Sequence, residues 1–382
     1  MKIQKLLGMF LGSILIAGSA NAEIRIGVIY SATGPGASVG MPQQRLLPVL
    51  PTTLGGEKVR YIELDDASDT TTAAKNAKKL TSEHSIDVLV GPSLTTSSLA
   101  VLDVIAESGT PMISLAAGAA IVEPVDAKRS WAFKTPQSDA MMVSLIVEHM
   151  VKNGSKRVGF IGVSDAYGDG WWRAFSKLAE TSNITISGSE RYSRTDTSVT
   201  GQVLKLLATN PDTVFIASFG TPAVLPQAAL AERGFKGKVY QTHGVANNDF
   251  LRLGGKNVEG TLLPSGPVLV VEQLPADHPT KKQGSEFVAK YEALPGAGAR
   301  SPFAVYLWDA IQILDKTIPV AMKTAKPGTP EFRKALRDAI EGAKDVRGSN
   351  GVYSMSPTDH IGLDNRARVM VQIKDGKWVY VQ

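Results

Sequence analysis

The chain has 382 residues, 43% of them hydrophobic, and no cysteine; this is enough apolar material for two packed domains and excludes disulfides and an N-terminal lipid-bearing cysteine. The formal charge is +5, and removing Lys2 and Lys5 leaves only three more basic than acidic residues, spread along the chain, which argues against nucleic acid as a partner.

Lys2 and Lys5 precede an apolar run from Leu6 to Ala17, and Ala20-Asn21-Ala22 follows with a small-x-small pattern. Residues 1–22 therefore read as a cleaved secretory signal peptide, since the run falls short of the roughly 18–20 residues that a membrane span needs. A large exported chain without disulfides relies on its own core, as a bacterial periplasmic protein does.

Glu23 to Tyr30 reads as a first strand, followed by a loop from Ser31 to Gly40. Gly34, Gly36 and Gly40 in that loop lack dinucleotide-fingerprint spacing. Pro42, Pro48 and Pro51 predict a short or irregular helix next. Val59 to Leu64 is a second strand closed by Asp65 and Asp66, whose side chains point to opposite faces and so suit turns or caps better than acid-base work. Thr70 to His84 carries Ala73, Ala77 and Leu80 on one helical face.

Ile86 to Ala120 is the most informative stretch. Ile86 to Val90 is an apolar run of strand length; Gly91 to Thr96 form a loop of small residues; Ser97 and Ser98 are candidate caps for a helix using Leu99, Leu102, Ile105 and Ala106, ended by Gly109. Met112 to Leu115 is the next strand, and Ala116 to Ala120 leave the backbone almost bare. Either loop alone is equally a tight turn. Two in succession at the carboxyl edge of one parallel sheet point to an anion site, because the first amides of a helix lack internal partners and carry partial positive charge.

Lys134 to Ser138 reads as a polar crossing, after which helix and strand alternate again: Ser138 to Asn153, Arg157 to Val163, Trp172 to Thr181, Ile184 to Tyr192, Ser198 to Ala208, Thr213 to Ser218, Pro222 to Arg233 and Val239 to Gln241. Gly260 to Val270 reads as a return crossing, and helices are expected at Lys281 to Leu294, Pro302 to Met322 and Pro330 to Glu341. Arg347 to Gly351 is turn chemistry suited to a third crossing, and Asp375-Gly376 joins two terminal strands as a hairpin. The expected fold is α/β with two Rossmann-like lobes: residues 23–136 plus 267–347 in one, 137–266 plus 348–382 in the other, joined by a three-segment hinge.

These features, with the segments IRIGVIYSATGPGASVG, LDDASDTTTAAKNAKKL, VGPSLTTSS, TPMISLAAG, VSDAYGDG and GVANNDFLRLGGKNVEG in this order, resemble the type I periplasmic solute-binding proteins of ABC transporters, in their Leu/Ile/Val-binding branch. The likeness covers nearly the whole mature chain. It implies a ligand held between lobes that close by hinge motion, and a membrane permease as partner. It places Thr95, in the loop that also carries Thr96, at the ligand carboxylate, and Ala117 and Gly118 in the second contact loop. Val39 would cover the ligand, Tyr167 would close over it from the other lobe, and Phe219 or Gly220 would add a contact.

One departure bears on the ligand. Where amino-acid binders carry a glutamate for the ligand ammonium, this chain has His243 in QTHGVANNDF. A buried ammonium without an acidic partner is costly, whereas imidazole can donate to a carboxylate, a phenol or a carbonyl. Gly118 also replaces a hydroxyl-bearing residue. The expected ligand is thus a small carboxylate without an α-amino group, of aromatic character, with Phe219, Tyr167, Trp171 or Trp172 as stacking partners. Trp171 and Trp172 are adjacent on a helix and cannot both face a cleft.

No G-x-S-x-G elbow, H-E-x-x-H or P-loop occurs, and the histidines (His84, His149, His243, His278, His360) show no metal-ligand spacing. Asp165 and Asp169 lack the remaining ligands of a calcium loop, and Asp169 reads as the cap of the Trp172 helix. The expectation is a binding protein, not an enzyme, with no cofactor or metal, monomeric, and serving a permease. The alternatives are a branched-chain or other amino-acid binder, an exported hydrolase using Thr95 or Ser114 with His243, and a sensor domain for a kinase.

Overall fold

The computed structural model describes residues 23–296 and 298–381, so the expected signal peptide lies outside the described residues. Strand β1 (Ile24–Tyr30) is buried on both faces, as an Ile/Val-rich strand covered by helices must be. Helix α1 (Ala37–Leu46) holds Pro42 and gives way at once to a 3₁₀ turn, Leu47–Val49, so it is short as expected. There follow β2 (Thr53–Leu54), β3 (Glu57–Asp65), α2 (Thr70–Ser82), β4 (Val88–Val90), α3 (Thr95–Ser108), β5 (Met112–Ser114) and β6 (Ala132–Lys134). They form one sheet in the order β2-β3-β1-β4-β5-β6, parallel throughout except for β2.

The second unit runs through α4 (Asp139–Lys152), β7 (Arg157–Val163), α5 (Ala166–Thr181), β8 (Thr185–Tyr192), α6 (Thr200–Leu207), β9 (Thr213–Ala217), α7 (Val224–Glu232), β10 (Lys238–Gln241), α8 (Asn248–Gly254) and β11 (Leu262–Ser265). The chain then returns to the first lobe as α9 (Lys281–Glu292), α10 (Pro302–Ala321) and α11 (Pro330–Glu341), with α10 packed on α1 and β2. After β12 (Val346–Arg347) and β13 (Val352–Tyr353) it ends in β14 (Val369–Lys374) and β15 (Lys377–Val381), which join the second sheet antiparallel, in the order β15-β14-β11-β10-β9-β7-β8. The expected α/β two-lobe architecture is therefore present, and the chain passes between the sheets three times.

In both sheets the first parallel strand, β1 or β7, is flanked on both sides, so the loops leaving neighbouring strands diverge and open a crevice at their carboxyl ends. The two crevices face each other, which is what positions the site.

Local departures from expectation have physical causes. Lys134, read as part of a crossing, ends β6, and the segment read as the return crossing contains β11; both strands are too short to show a period. Helix α3 starts at Thr95 with Leu94 as N-cap, so Ser97 and Ser98 lie inside it; Ser98 instead shares a 2.8 Å hydrogen bond with Ser114 Oγ. Between β5 and β6 there is no α-helix, but two 3₁₀ turns, Ala119–Ile121 and Arg129–Trp131. Helix α5 begins at Ala166, and its cap is Asp165, which accepts from the amides of Tyr167 and Gly168, rather than Asp169. Gly168 and Gly170 hide that first turn from a propensity reading; a Cβ on Gly168 would sit 1.9 Å from Val163 O, so the glycine lets the helix start against the end of β7. Gly109 in the left-handed region ends α3, and Asp375 and Gly376, both at positive φ, turn the terminal hairpin, as expected.

Helix α10 also ties down the third passage. Asp309, fully buried, accepts from Ser349 N at 2.7 Å, Asn350 N at 2.9 Å and Tyr353 Oη at 2.9 Å. Burial pushes its carboxyl up to about 7 despite these donors.

Candidate functional site

The two crevices meet over a small cavity of about 30 Å³. From the first lobe it is lined by Val39, Ser93, Leu94, Thr95, Leu115 and Ala117; from the second by Tyr167, Phe219, His243 and Gly244. Phe303 and Tyr306 on α10 complete the wall. Each sheet contributes at its strand ends: Val39 follows β1, Thr95 β4, Ala117 β5, Tyr167 β7, Phe219 β9 and His243 β10.

Thr95, 3% exposed, is the first residue of α3, so its amide and those of Thr96 and Ser97 have no intrahelical acceptor. Leucine at the N-cap supplies no oxygen to them. On α5, another helix whose first turn lines the cavity from a strand end, the cap is instead a side chain, Asp165. Thr96 Oγ1 is buried without a hydrogen-bond partner among the described residues. The Gly118 amide donates to Thr95 Oγ1 at 3.2 Å. A Cβ on Gly118 would lie 2.5 Å from Thr95 Cγ2, so a larger residue there would displace the threonine.

The second-lobe wall is aromatic and rigid. Tyr167 donates to Thr242 Oγ1 at 2.8 Å, and Thr242 in turn donates to Ser218 O at 2.5 Å. The Tyr167 ring meets Phe219 edge-on at 5.0 Å, and Trp171 lies 5.9 Å behind it. Gly220, at positive φ, donates its amide to Gly244 O at 2.9 Å and faces Ser38 of the first lobe. Trp171 is fully buried 5.4 Å from the His243 ring, backing the wall without lining the cavity. Trp172 points elsewhere, 4.9 Å from Phe160 and beneath the Arg191 guanidinium. Neither tryptophan is placed to stack on an occupant.

His243 is 3% exposed and its Nδ1 has no partner among the described residues. Burial, aided by the charge of Lys134, pushes its imidazolium down to about 3, so the ring is neutral and offers one donor and one acceptor. Lys134 is itself fully buried, and burial lowers its ammonium to about 8, leaving it charged at neutral pH.

Of the residues expected from sequence, Val39, Thr95, Ala117, Tyr167, Phe219 and His243 line the cavity, while Thr96, Gly118 and Gly220 flank it. Ser93, Leu94, Leu115, Gly244, Phe303 and Tyr306 were not foreseen. Phe303 and Tyr306 sit on a helix buried nearly all round, whose apolar pattern gives no sign of which residues reach a cavity. Asp65 and Asp66 are turn residues: Asp65 accepts from the amides of Ala32 and Ala67, and Asp66 from Ser31 Oγ and Ser68 N. A larger open groove, between α10 and α11, is lined by lysines and carboxylates of mixed sign and gathers no such set of unpaired donors.

Comparison with known proteins agrees with this geometry. The family model described as periplasmic binding protein matches residues 23–377. A Leu/Ile/Val-binding protein homolog 3 from Brucella melitensis biotype 1 is 26% identical over 360 residues, 91% of each chain. The crystal structure of an extracellular ligand-binding receptor from Rhodopseudomonas palustris HaA2 superposes with a TM-score of 0.91 at 49% identity, covering 94% of this chain and 100% of that one. A solute-binding protein of an ABC transporter from R. palustris, solved in complex with benzoate, shares the fold with a TM-score of 0.80 at 20% identity over 94% of this chain and 95% of that one. With the family model spanning nearly the whole described chain, and with two lobes facing each other across one cavity, the chain belongs to the periplasmic binding protein family, in its type I Leu/Ile/Val-binding branch.

Proposed function

We propose that this protein is the substrate-binding component of an ABC importer and captures a small aromatic carboxylate without an α-amino group by closure of the two lobes. The observation that carries this reading is the charge of the cavity: none of its lining residues is acidic, while unpaired helix amides face it and a buried lysine stands behind it. An α-ammonium there would find no acidic lining residue and would feel the charge of Lys134, as His243 does, which is unfavourable. A carboxylate instead finds the amides at the start of α3 and the hydroxyl of Thr95. The ring of the ligand lies against Tyr167, Phe219, Phe303 and Tyr306, and neutral His243 bonds a polar substituent or the carboxylate itself.

In this reading Val39 covers the ligand and Thr96, Ala117, Gly118 and Gly220 shape its contacts. The lobes comprise residues 23–136 with 267–347, and 137–266 with 348–382. Residues 1–22 direct export to the periplasm, where the protein acts as a monomer and delivers its ligand to a permease in the inner membrane. No catalysis is involved. Ser114 is fully buried and bonded to Ser98 and to the Ala116 amide, and His243 makes no hydrogen bond to Thr95 or Ser114 among the described residues. A nucleophile and its base need that contact.

The names of relatives keep a branched-chain amino acid in view as the competing ligand. A thermal-shift and calorimetric panel of leucine, valine, benzoates, phenylacetates and short keto acids decides between them. A ligand at about 100 times its dissociation constant adds about 2.7 kcal/mol of apparent stability. Benzoates or phenylacetates should raise the melting temperature while leucine and valine leave it unchanged; the reverse pattern overturns the reading, and turnover of an ester substrate would replace it with a hydrolase.

A further inference from the structure

Lys134 lies in no motif and does not line the cavity, yet it is a fully buried cation at the end of β6. Its ammonium donates to two carbonyl oxygens, those of Ala117 and, at 3.5 Å, Gln137. No carboxylate lies within 4.0 Å of it among the described residues; Asp139 and Glu123 act only as more distant charges. A neutral glutamine would serve two carbonyls without the cost of desolvating a charge, so packing alone does not explain a lysine here.

The Ala117 carbonyl belongs to the same peptide unit as the Gly118 amide, and that amide donates to Thr95 Oγ1 at 3.2 Å. The threonine hydroxyl, occupied as an acceptor, has its own hydrogen engaged by no acceptor among the described residues. The two bonds form a directed series, ammonium to carbonyl and amide to hydroxyl, that leaves the Thr95 hydroxyl hydrogen for an acceptor in the cavity. Each bond polarises the next in the same sense, and a cation at the far end strengthens the last donor.

We infer that Lys134 is a positioning and selectivity residue that charges the site through the Ala117–Gly118 peptide, orients the Thr95 hydroxyl as a donor, and so selects an anionic over a neutral ligand of the same shape. This rests on the reading of the cavity as a carboxylate site, but not on which carboxylate occupies it.

The test compares each acid with its amide, by calorimetry, on wild type, Lys134→Gln and Lys134→Met: benzoate against benzamide, and leucine against leucinamide. The glutamine keeps a donor for the Ala117 carbonyl without the charge; the methionine removes both. Wild type should prefer the acid, and Lys134→Gln should lower the affinity for that acid by roughly tenfold or more, as expected of one unit charge at an effective dielectric of about 20. Affinity for the amide should change by less than about threefold, the scale of a lost distant contact. Without ligand, Lys134→Gln should melt at or above wild type, because a buried charge without an ion-pair partner has been removed, whereas Lys134→Met, which also leaves the Ala117 carbonyl unpaired, should melt below Lys134→Gln.

An unchanged acid-to-amide ratio in Lys134→Gln overturns the inference, as does a marked fall in the melting temperature of Lys134→Gln, which would make Lys134 a structural residue. Wild type preferring leucine to benzoate would overturn the aromatic-ligand reading alone, since the leucine pair then reports on Lys134. Failure of wild type to bind any acid overturns both.

Discussion

Thr95→Val tests the donor at the centre of the site while keeping the side chain's shape. Thr95 is 3% exposed and lines the cavity; its Oγ1 accepts from the Gly118 amide at 3.2 Å, and its own hydrogen has no acceptor among the described residues. A hydrogen bond to a charged group is worth about 1.5–3 kcal/mol, so its loss should weaken benzoate binding roughly 10- to 150-fold. The same change leaves the buried Gly118 amide unpaired, costing about 1–3 kcal/mol of stability in the unliganded protein. Titration calorimetry measures the first effect and urea unfolding the second. Thr95→Ser restores the hydroxyl and should recover most of the affinity. If Thr95→Val binds benzoate as tightly as wild type, the hydroxyl donates nothing to the ligand and the reasoning about the α3 start fails. If affinity falls without loss of stability, the Gly118 amide has found another acceptor and the directed series described above is wrong.

Three further predictions concern pH. Burial holds the His243 imidazolium down at about 3, so between about 3 and the ordinary value of 6.5 the unfolded chain binds a proton that the folded ring refuses; this contribution to stability is lost as pH falls through that window. Benzoate affinity, by contrast, should stay constant between about pH 5.5 and about pH 7.5, where the ring is neutral throughout; a tenfold change by calorimetry across this range would show a histidine that titrates in the site. Burial raises the Asp309 carboxyl from 3.8 to about 7, so its sign is opposite: the folded chain keeps a proton that the unfolded chain has released, and stability declines as pH rises through that interval. Urea unfolding of Asp309→Asn at a series of pH values should show this decline removed relative to wild type, and parallel profiles would refute it.

The alternation of short apolar runs with amphipathic segments was enough to specify parallel sheets in two lobes, because strands buried on both faces must read as continuous Val, Ile and Leu, as β1 and β9 do. The strand ends were legible for the same reason, and with them the loops carrying Thr95, Ala117, Tyr167, Phe219 and His243. Even the proposal that the ligand lacks an ammonium could be argued from a single position, His243, since buried charge demands a partner wherever the fold puts it.

What the linear pattern left open depends on which surfaces meet. Phe303 and Tyr306 reach the cavity from α10, some two hundred residues beyond Thr95, and nothing local distinguishes them from the core residues on the same helix. Trp171 and Trp172 differ only in which side of α5 each occupies, and packing sends both away from the cavity. Lys134 read as a polar residue of a crossing; only the folded chain shows its charge sealed inside, one peptide away from Thr95. Periodicity reports the environment along an element, so sequence alone determined where strands end and loops begin. The meeting of residues across lobes, and the burial of a cation behind a loop, are properties of tertiary contact and arise only when the two sheets close on each other.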